Sequence, residues 1–187
     1  YDTTVVTTPT LVASGPTAIG ISRILTVGDF DGDSFDDVAV EYGTDWSTYT
    51  AVSNYSSSCQ TGFQSDNINV MVSLQGSATS PNDDIVLGLA GEDQFSPHSG
   101  SFCGRDPDIA LASSNVATKS IAVADLDGDG FDDIFVGRVA ADSRFYLSDG
   151  TGAGNYTLDW STGTGVGKTY LWVEFVDLNA DGNLDIA

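Results

Sequence analysis

Residues 125–136 read DLDGDGFDDIFV, and this stretch decides the fold. It spaces carboxylates with small or apolar residues and then continues into an apolar segment. Two other stretches align with it without gaps: DFDGDSFDDVAV at residues 29–40 and DLNADGNLDIA at residues 177–187. An alternating apolar run precedes each copy, so the repeated unit is predicted to be strand, acidic loop, strand. A repeated unit of this kind sets the fold of the whole chain.

The spacing of the acidic side chains predicts a metal site in each loop. Asp or Asn occupies loop positions 1, 3, 5 and 9, and the backbone carbonyl of position 7 can join them in the oxygen-only shell that Ca²⁺ prefers. Mg²⁺ fits less well because it demands tight octahedral coordination. We therefore predict three Ca²⁺ sites with these ligands: Asp29, Asp31, Asp33, Phe35 and Asp37; Asp125, Asp127, Asp129, Phe131 and Asp133; and Asp177, Asn179, Asp181, Asn183 and Asp185.

Two other interpretations of the loops explain the sequence less well. An EF-hand needs Glu at position 12, where Val40 and Val136 stand, and its flanks should be amphipathic helices rather than β-prone runs. An acidic hairpin turn without a metal is the simpler alternative. Three copies in register favour the metal, since the crowded carboxylates would otherwise repel one another.

The three loops resemble the FG-GAP (integrin-α-like) repeats and the related VCBS repeats. Their signature is a DxDxDGxxD calcium loop in a β-hairpin, followed by an apolar strand. The resemblance implies an all-β fold of three to four propeller blades, each a four-stranded antiparallel unit. A closed propeller needs at least four blades and usually more. We therefore expect an incomplete propeller, or one that other chains complete.

The spacing of the loops predicts the domain organisation. Residues 1–15 form an extended Thr-rich segment, either a linker or a strand donated to a neighbour, and residues 16–187 form the repeat domain. The first and second loops start 96 residues apart, whereas the second and third start 52 apart. An irregular blade around 59–111 is predicted to fill the gap. We expect no metal there, because residues 76–80 contain no carboxylate.

Composition and processing signals favour an extracellular protein. The 27 acidic residues outnumber six Lys and Arg, a net charge of −21 that argues against nucleic acids and anionic membranes. No apolar run is long enough to insert into a membrane. Cys59 and Cys103 form either one disulfide or two buried thiols, and glycosylation sequons occur at Asn54 and Asn155. Because the chain starts at Tyr1 without a basic and apolar leader, we expect a mature or trimmed product.

The sequence predicts no enzyme. His98, the sole histidine, lies in a predicted loop without a nucleophile spaced for catalysis, and Arg138 is expected to serve solubility or an ion pair. We expect a structural or adhesive module that assembles with copies of itself or other extracellular proteins through open sheet edges. One alternative is a lectin that binds glycans through exposed aromatics, with Trp46 as the platform and Trp172 inside the core or between blades. Another is an accessory fragment of a larger secreted protein.

Overall fold

A computed structural model of the chain describes nine segments. Residues 1–23, Asn54 and Cys103 are among the residues outside them. For Cys59 only the backbone is described, so the predicted disulfide, one sequon and the N-terminal segment lie outside the described residues. No helix long and apolar enough to cross a membrane occurs in the described part of the chain. The described segments are residues 24–42, 45–50, 58–63, 67–76, 82–98, 108–111, 116–151, 155–163 and 169–187.

The described residues form three four-stranded sheets and one two-stranded sheet, all antiparallel. Within each sheet the strands follow one another in chain order. The first sheet contains β1 (Leu25–Gly28), β2 (Asp37–Tyr42), β3 (Asp45–Tyr49) and β4 (Ser58–Phe63). The second contains β5 (Ile68–Leu74), β6 (Asp84–Leu89), β7 (Gln94–Ser96) and β8 (Ile109–Ala110). The third contains β9 (Thr118–Ala124), β10 (Asp133–Arg138), β11 (Arg144–Ser148) and β12 (Tyr156–Ser161), and the fourth contains β13 (Phe175–Val176) and β14 (Asp185–Ile186).

Every sheet begins with the same hairpin. The residue before each acidic loop pairs with the Asp at position 9, as in Gly28 with Asp37 and Ala124 with Asp133. In the second sheet the corresponding pair is Leu74 with Asp84. This register places Gln75 at position 1. The loop of the second sheet is one residue longer than the others, and we call Asp83 and Asp84 positions 8 and 9 because they occupy the same places before and at the start of the second strand.

The first strands of successive sheets lie side by side: β1 contacts β5, β5 contacts β9, and β9 contacts β13. This is the arrangement of blades around an axis, and the apolar core fills the space between sheets. Both faces of β6 are buried, because Ile85 and Leu87 face the first sheet while Val86 belongs to the cluster with the third. Alternate residues of a strand point to opposite faces, so a strand between two sheets carries apolar side chains on both faces.

Three sequence predictions are wrong in this structure. Trp46 is 0% exposed, because its strand lies between β2 and β4 and its ring packs in the core, so it is no surface platform. Trp172, expected in the interior, is 77% exposed and precedes β13, whose pairing with β14 spans only two residues. The irregular blade does not begin near residue 59, since Ser58–Phe63 is the last strand of the first sheet.

Candidate metal centres

Two of the acidic loops gather three carboxylates each around one point. In the first loop, oxygens of Asp29, Asp31 and Asp37 all lie within 4.8 Å of one another, and in the second loop Asp125, Asp127 and Asp133 do the same. These are loop positions 1, 3 and 9. In these two loops the spacing therefore brings together three of the four side chains that were predicted to share a cation, and the Asp at position 5 is not part of either triad.

The carboxylate at position 1 organises the loop that follows it. Asp29 Oδ1 accepts hydrogen bonds from the backbone N–H groups of Gly32 (2.7 Å) and Asp33 (3.1 Å), and its Oδ2 accepts one from Ser34 (2.8 Å). Asp125 makes the same three bonds to the corresponding residues of the second loop. A left-handed backbone at positions 4 and 6 accompanies this geometry, and Ser34 adopts it at φ 69° where the other loops have glycine.

The carboxylate at position 9 is buried and ties the loop to the sheet. Asp133 Oδ2 accepts the N–H of Leu126 (2.9 Å) from position 2, and its Oδ1 accepts the N–H of Ser148 (2.9 Å) from β11. Burial raises the pKa of Asp133, and these two bonds only partly offset the increase. A buried anion needs compensation, and a cation in the triad would supply it.

The carboxylate at position 5 has an oxygen left for a cation. Asp33 Oδ1 accepts the backbone N–H of Phe35 at 2.8 Å. Among the described residues, Asp33 Oδ2 is buried without a hydrogen-bond partner, and such an orphaned polar atom fits a site for a hard cation. Burial, and after it the charge of Asp33, raises the pKa of Asp31. The predicted ligation by backbone carbonyls at position 7 stays a prediction.

The third loop has the same hydrogen bonds with less charge. Asp177 accepts the N–H groups of Asp181 (3.1 Å) and Gly182 (2.9 Å), as Asp29 and Asp125 do in their loops. Asp185 Oδ2 accepts the N–H of position 2 at 3.1 Å. Asn179 replaces the acid at position 3, so only an amide oxygen is offered there. Its Oδ1 accepts the N–H of Asp181 at 2.8 Å, like the acid in the other loops.

The second sheet keeps the hairpin without the ligands. Gln75 stands at position 1, while Asp84 at position 9 is buried and accepts the N–H of His98 at 2.6 Å. The imidazole of His98 is also buried, with its Nδ1 3.0 Å from the amide nitrogen of Asn82. The sole histidine therefore packs inside this hairpin, and the loop prediction missed that role.

Sequence reasoning also missed what the acid at position 8 does. Asp83 Oδ2 accepts the backbone N–H of Asp29 (3.0 Å), and the Asp83 N–H donates to the Asp29 carbonyl (2.7 Å). Asp132 makes the same pair of bonds to Gln75, each 2.8 Å long. We call this reciprocal pair the clamp: position 8 of one sheet holds position 1 of the sheet before it. Burial raises the pKa of both clamp carboxyls, and the accepted N–H bond lowers it.

Arg138, which was expected to serve either solubility or an ion pair, forms a buried ion pair. Arg138 Nη2 lies 3.0 Å from Asp93 Oδ2, and both side chains are buried. Asp93 Oδ1 also accepts the N–H of Leu89 at 3.1 Å. The pair joins the third sheet to the second, and nothing in the sequence distinguishes its acidic member, Asp93, from the other acids of the chain.

Of the two sequons, only Asn155 lies among the described residues. It is exposed, and its amide nitrogen donates a hydrogen bond to Asp149 Oδ2 at 3.0 Å. The pKa of Asp149 is lowered by three hydrogen bonds to its carboxylate oxygens, of which the one from the Thr151 hydroxyl has the largest effect. Side-chain hydrogen bonds thus link Asp149 to Thr151 and to Asn155.

Comparison with known proteins agrees with this geometry. Residues 125–187, which include the second and third acidic loops, match the FG-GAP-like repeat family. The predicted resemblance is confirmed there: this part of the chain is an FG-GAP-like repeat. No curated protein matches the chain.

A solved structure shows the fold. The crystal structure of BBS1N in complex with ARL6DN, soaked with lead, matches with a TM-score of 0.57 at 10% sequence identity. The match covers 85% of this chain and 49% of that chain, so this chain spans about half the length of that structure. The all-β fold of antiparallel four-stranded sheets, similar to part of a β-propeller, is therefore confirmed.

Proposed function

We propose that the chain is a Ca²⁺-stabilised structural or adhesive β-repeat module that acts outside the cell and has no catalytic activity. The observation that carries the proposal is the pair of carboxylate triads, each folded around one point by the backbone of its own loop. The buried, unpartnered Asp33 Oδ2 supports a cation in the first loop. The acids thus serve the loops, and no catalytic role is assigned to them.

Ca²⁺ suits these loops better than Mg²⁺. The proposed donors are carboxylate and amide oxygens together with the backbone carbonyls at position 7, and Ca²⁺ accepts six to eight oxygens in flexible geometry. The first two loops offer full triads, and the third substitutes the amide oxygen of Asn179 for one carboxylate. We therefore propose three sites, of which the third carries the least charge.

The bound ions would neutralise and stiffen the hairpins that start the blades. At a free Ca²⁺ concentration about ten times the dissociation constant, each site adds roughly 1.4 kcal/mol to the free energy of unfolding. Three sites would add about 4 kcal/mol, a large share of the 5–15 kcal/mol that is typical of folded proteins.

Thermal unfolding with and without a chelator tests the proposal. Excess EDTA should lower the melting temperature, and Ca²⁺ added beyond the EDTA should restore it, while the same excess of Mg²⁺ should restore less. Asp125→Ala should reduce the shift because it removes the side-chain ligand at position 1 of the second loop. A melting temperature that EDTA leaves unchanged would refute the calcium proposal.

The assembly part of the proposal concerns exposed sheet edges. On β12, the outer strand of the third sheet, Leu158 and Trp160 are 45% and 50% exposed. Apolar residues on an open edge strand favour pairing with another chain. We propose that copies of this chain or other extracellular proteins pair there, and that residues 1–15 supply the donated strand. Light scattering should show oligomers of the 187-residue chain and monomers after deletion of residues 1–15. A monodisperse monomer of the 187-residue chain would contradict this proposal.

Glycan binding is the second candidate function, with Trp172 as the sugar platform because Trp46 is buried. Trp172 is 77% exposed beside Leu171, and the two line a groove with Lys119 and Ile121. Exposed aromatic rings with a polar neighbour suit the faces of sugar rings. Saturable binding on a glycan array, lost in Trp172→Ala and kept in Trp160→Ala, would support this candidate. An array without signal would remove it.

A further inference from the structure

The clamp connects one candidate metal loop to the neighbouring sheet. Asp29 supplies the position-1 carboxylate of the first loop, and both of its own backbone polar groups are bonded to Asp83 of the second sheet. The peptide groups on either side of the Asp29 Cα are therefore held by residues of another sheet, while its carboxylate is held within its own loop. Few rotations remain by which that carboxylate could move.

The residues around the clamp leave room for it. A Cβ atom on Gly28 would lie 2.5 Å from Asp83 Oδ2, so the absence of a side chain there allows the carboxylate to approach. Next to it, Ser73 Oγ donates to the Val27 carbonyl at 2.6 Å, and the Ser73 N–H donates to Thr26 Oγ1 at 3.0 Å. These bonds fix β1 and β5 against each other beside the clamp.

The next two interfaces between sheets provide natural comparisons. Between the second and third sheets, Asp132 makes an identical clamp, but it holds Gln75 in a loop without metal ligands. Between the third and fourth sheets, position 8 is Leu184, which has no carboxylate to accept the N–H of Asp125. A cavity of about 200 Å³ lies there instead, lined by Asp125, Leu126, Gly182, Asn183 and Leu184.

We propose that Asp83 is a positioning residue for the cation site of the first loop, so that ion binding at Asp29 and packing of the second sheet against the first stabilise each other. The inference rests on the proposed Ca²⁺ function and deepens it. Partners that orient metal ligands commonly change metal affinity by about 10–100-fold when they are removed. By linkage, an ion that binds more tightly to the clamped loop also strengthens the clamp. In the described part of the chain no carboxylate holds the backbone of Asp125 in this way, so an ion in the second loop would stabilise mainly its own hairpin.

The test isolates the first site and then removes its clamp. The 187-residue chain carrying Asp125→Ala and Asp177→Ala serves as the background, because only the first acidic loop then keeps a side-chain oxygen at position 1. Calorimetric titration with Ca²⁺ measures affinity in this background and in three derivatives: Asp83→Ala, Asp83→Asn and Asp132→Ala.

The expected affinities follow from the bonds that each variant keeps. Asp83→Ala should weaken binding by about tenfold or more. Asp83→Asn keeps an oxygen that accepts the Asp29 N–H and should stay within about threefold of the background. Asp132→Ala breaks an equal clamp at the other interface and should stay within about twofold, as independent sites do.

Three results would overturn the inference. Unchanged affinity in Asp83→Ala would show that the clamp does not position the ligand. Equal weakening in Asp132→Ala would indicate general loosening of the fold, and equal weakening in Asp83→Asn would indicate an effect of charge alone. If Asp83→Ala does not fold by circular dichroism, Gly28→Ala replaces it, since the added Cβ displaces the Asp83 carboxylate. A background chain that binds no Ca²⁺ would instead refute the proposed function itself.

Discussion

The acid at position 9 has a structural role in its hairpin and, in the acidic loops, a proposed role as a metal ligand. The two roles can be separated by removing this acid from the second acidic loop, which has a carboxylate triad, and from the loop of the second sheet, which has none among the described residues. Asp133 and Asp84 occupy the same place in their hairpins and are both buried. Asp133 belongs to a carboxylate triad, whereas Asp84 belongs to no such group among the described residues. We therefore compare Asp133→Ala with Asp84→Ala, each with Ca²⁺ and with EDTA.

The structural losses are large in both variants. Asp133→Ala leaves the part-buried N–H of Leu126 and the buried N–H of Ser148 without their acceptor. A hydrogen bond to a charged group contributes about 1.5–3 kcal/mol, so two lost bonds cost about 3–6 kcal/mol. Asp84→Ala loses the bond from His98, which by the same reasoning costs at least about 1.5–3 kcal/mol.

The metal-dependent difference is smaller and more diagnostic. At Ca²⁺ about ten times the dissociation constant, the loss of one site removes roughly 1.4 kcal/mol of the stabilisation that Ca²⁺ provides. Urea denaturation at low temperature should show this decrease in Asp133→Ala and leave the Ca²⁺ increment of Asp84→Ala equal to that of the unmodified chain. Equal Ca²⁺ increments in the two variants would refute the assignment of Asp133 as a metal ligand.

Three further predictions follow from the same structure. In EDTA, the melting temperature should rise as the pH is lowered from about 7 to about 5. Carboxyls whose pKa in the folded state is raised above the usual 3.8 bind protons more tightly in the folded than in the unfolded state. Protonation therefore stabilises the fold at a pH below the folded pKa, and this stabilisation is lost as the pH rises through that pKa. Saturating Ca²⁺ should weaken this trend by holding the loop carboxyls ionised, and a steady fall toward pH 5 in EDTA would contradict the argument. Trp46→Ala should cost about 3–5 kcal/mol in a denaturant titration because the ring is buried, whereas Trp172→Ala should stay within about 0.5 kcal/mol; similar values for the two would be inconsistent with their burial. Arg138→Met should destabilise the fold by about 3–5 kcal/mol by leaving Asp93 buried and unpaired, and a second change, Asp93→Leu, should recover much of that loss; no recovery would show that the pair is not the cause.

The metal loops could be predicted because their geometry is local. Asp29 bonds to N–H groups three to five residues ahead, and the carboxylates at positions 1, 3 and 9 meet within a span of nine residues. Spacing alone carries that information. Even Ser34, where glycine was expected, takes the required left-handed backbone because the same loop bonds surround it.

Contacts between sheets could not be predicted in the same way. The clamp joins Asp83 to Asp29 across 54 residues, and nothing in the doublet at residues 83–84 indicates which partner its first acid reaches. The burial of Trp46 depends on neighbouring strands that cover it, although its sequence neighbours are polar. Trp172 stands in an alternating run, but the pairing of β13 with β14 begins only at Phe175 and leaves the ring exposed.

The stoichiometry of Ca²⁺ binding tests the central claim most directly. Calorimetric titration of the chelator-treated chain with Ca²⁺ should show three ions bound per chain, and Asp127→Asn should weaken or remove one of them. The melting temperature should rise in parallel with occupancy. A titration without binding heat, together with a melting temperature that Ca²⁺ does not change, would contradict the account.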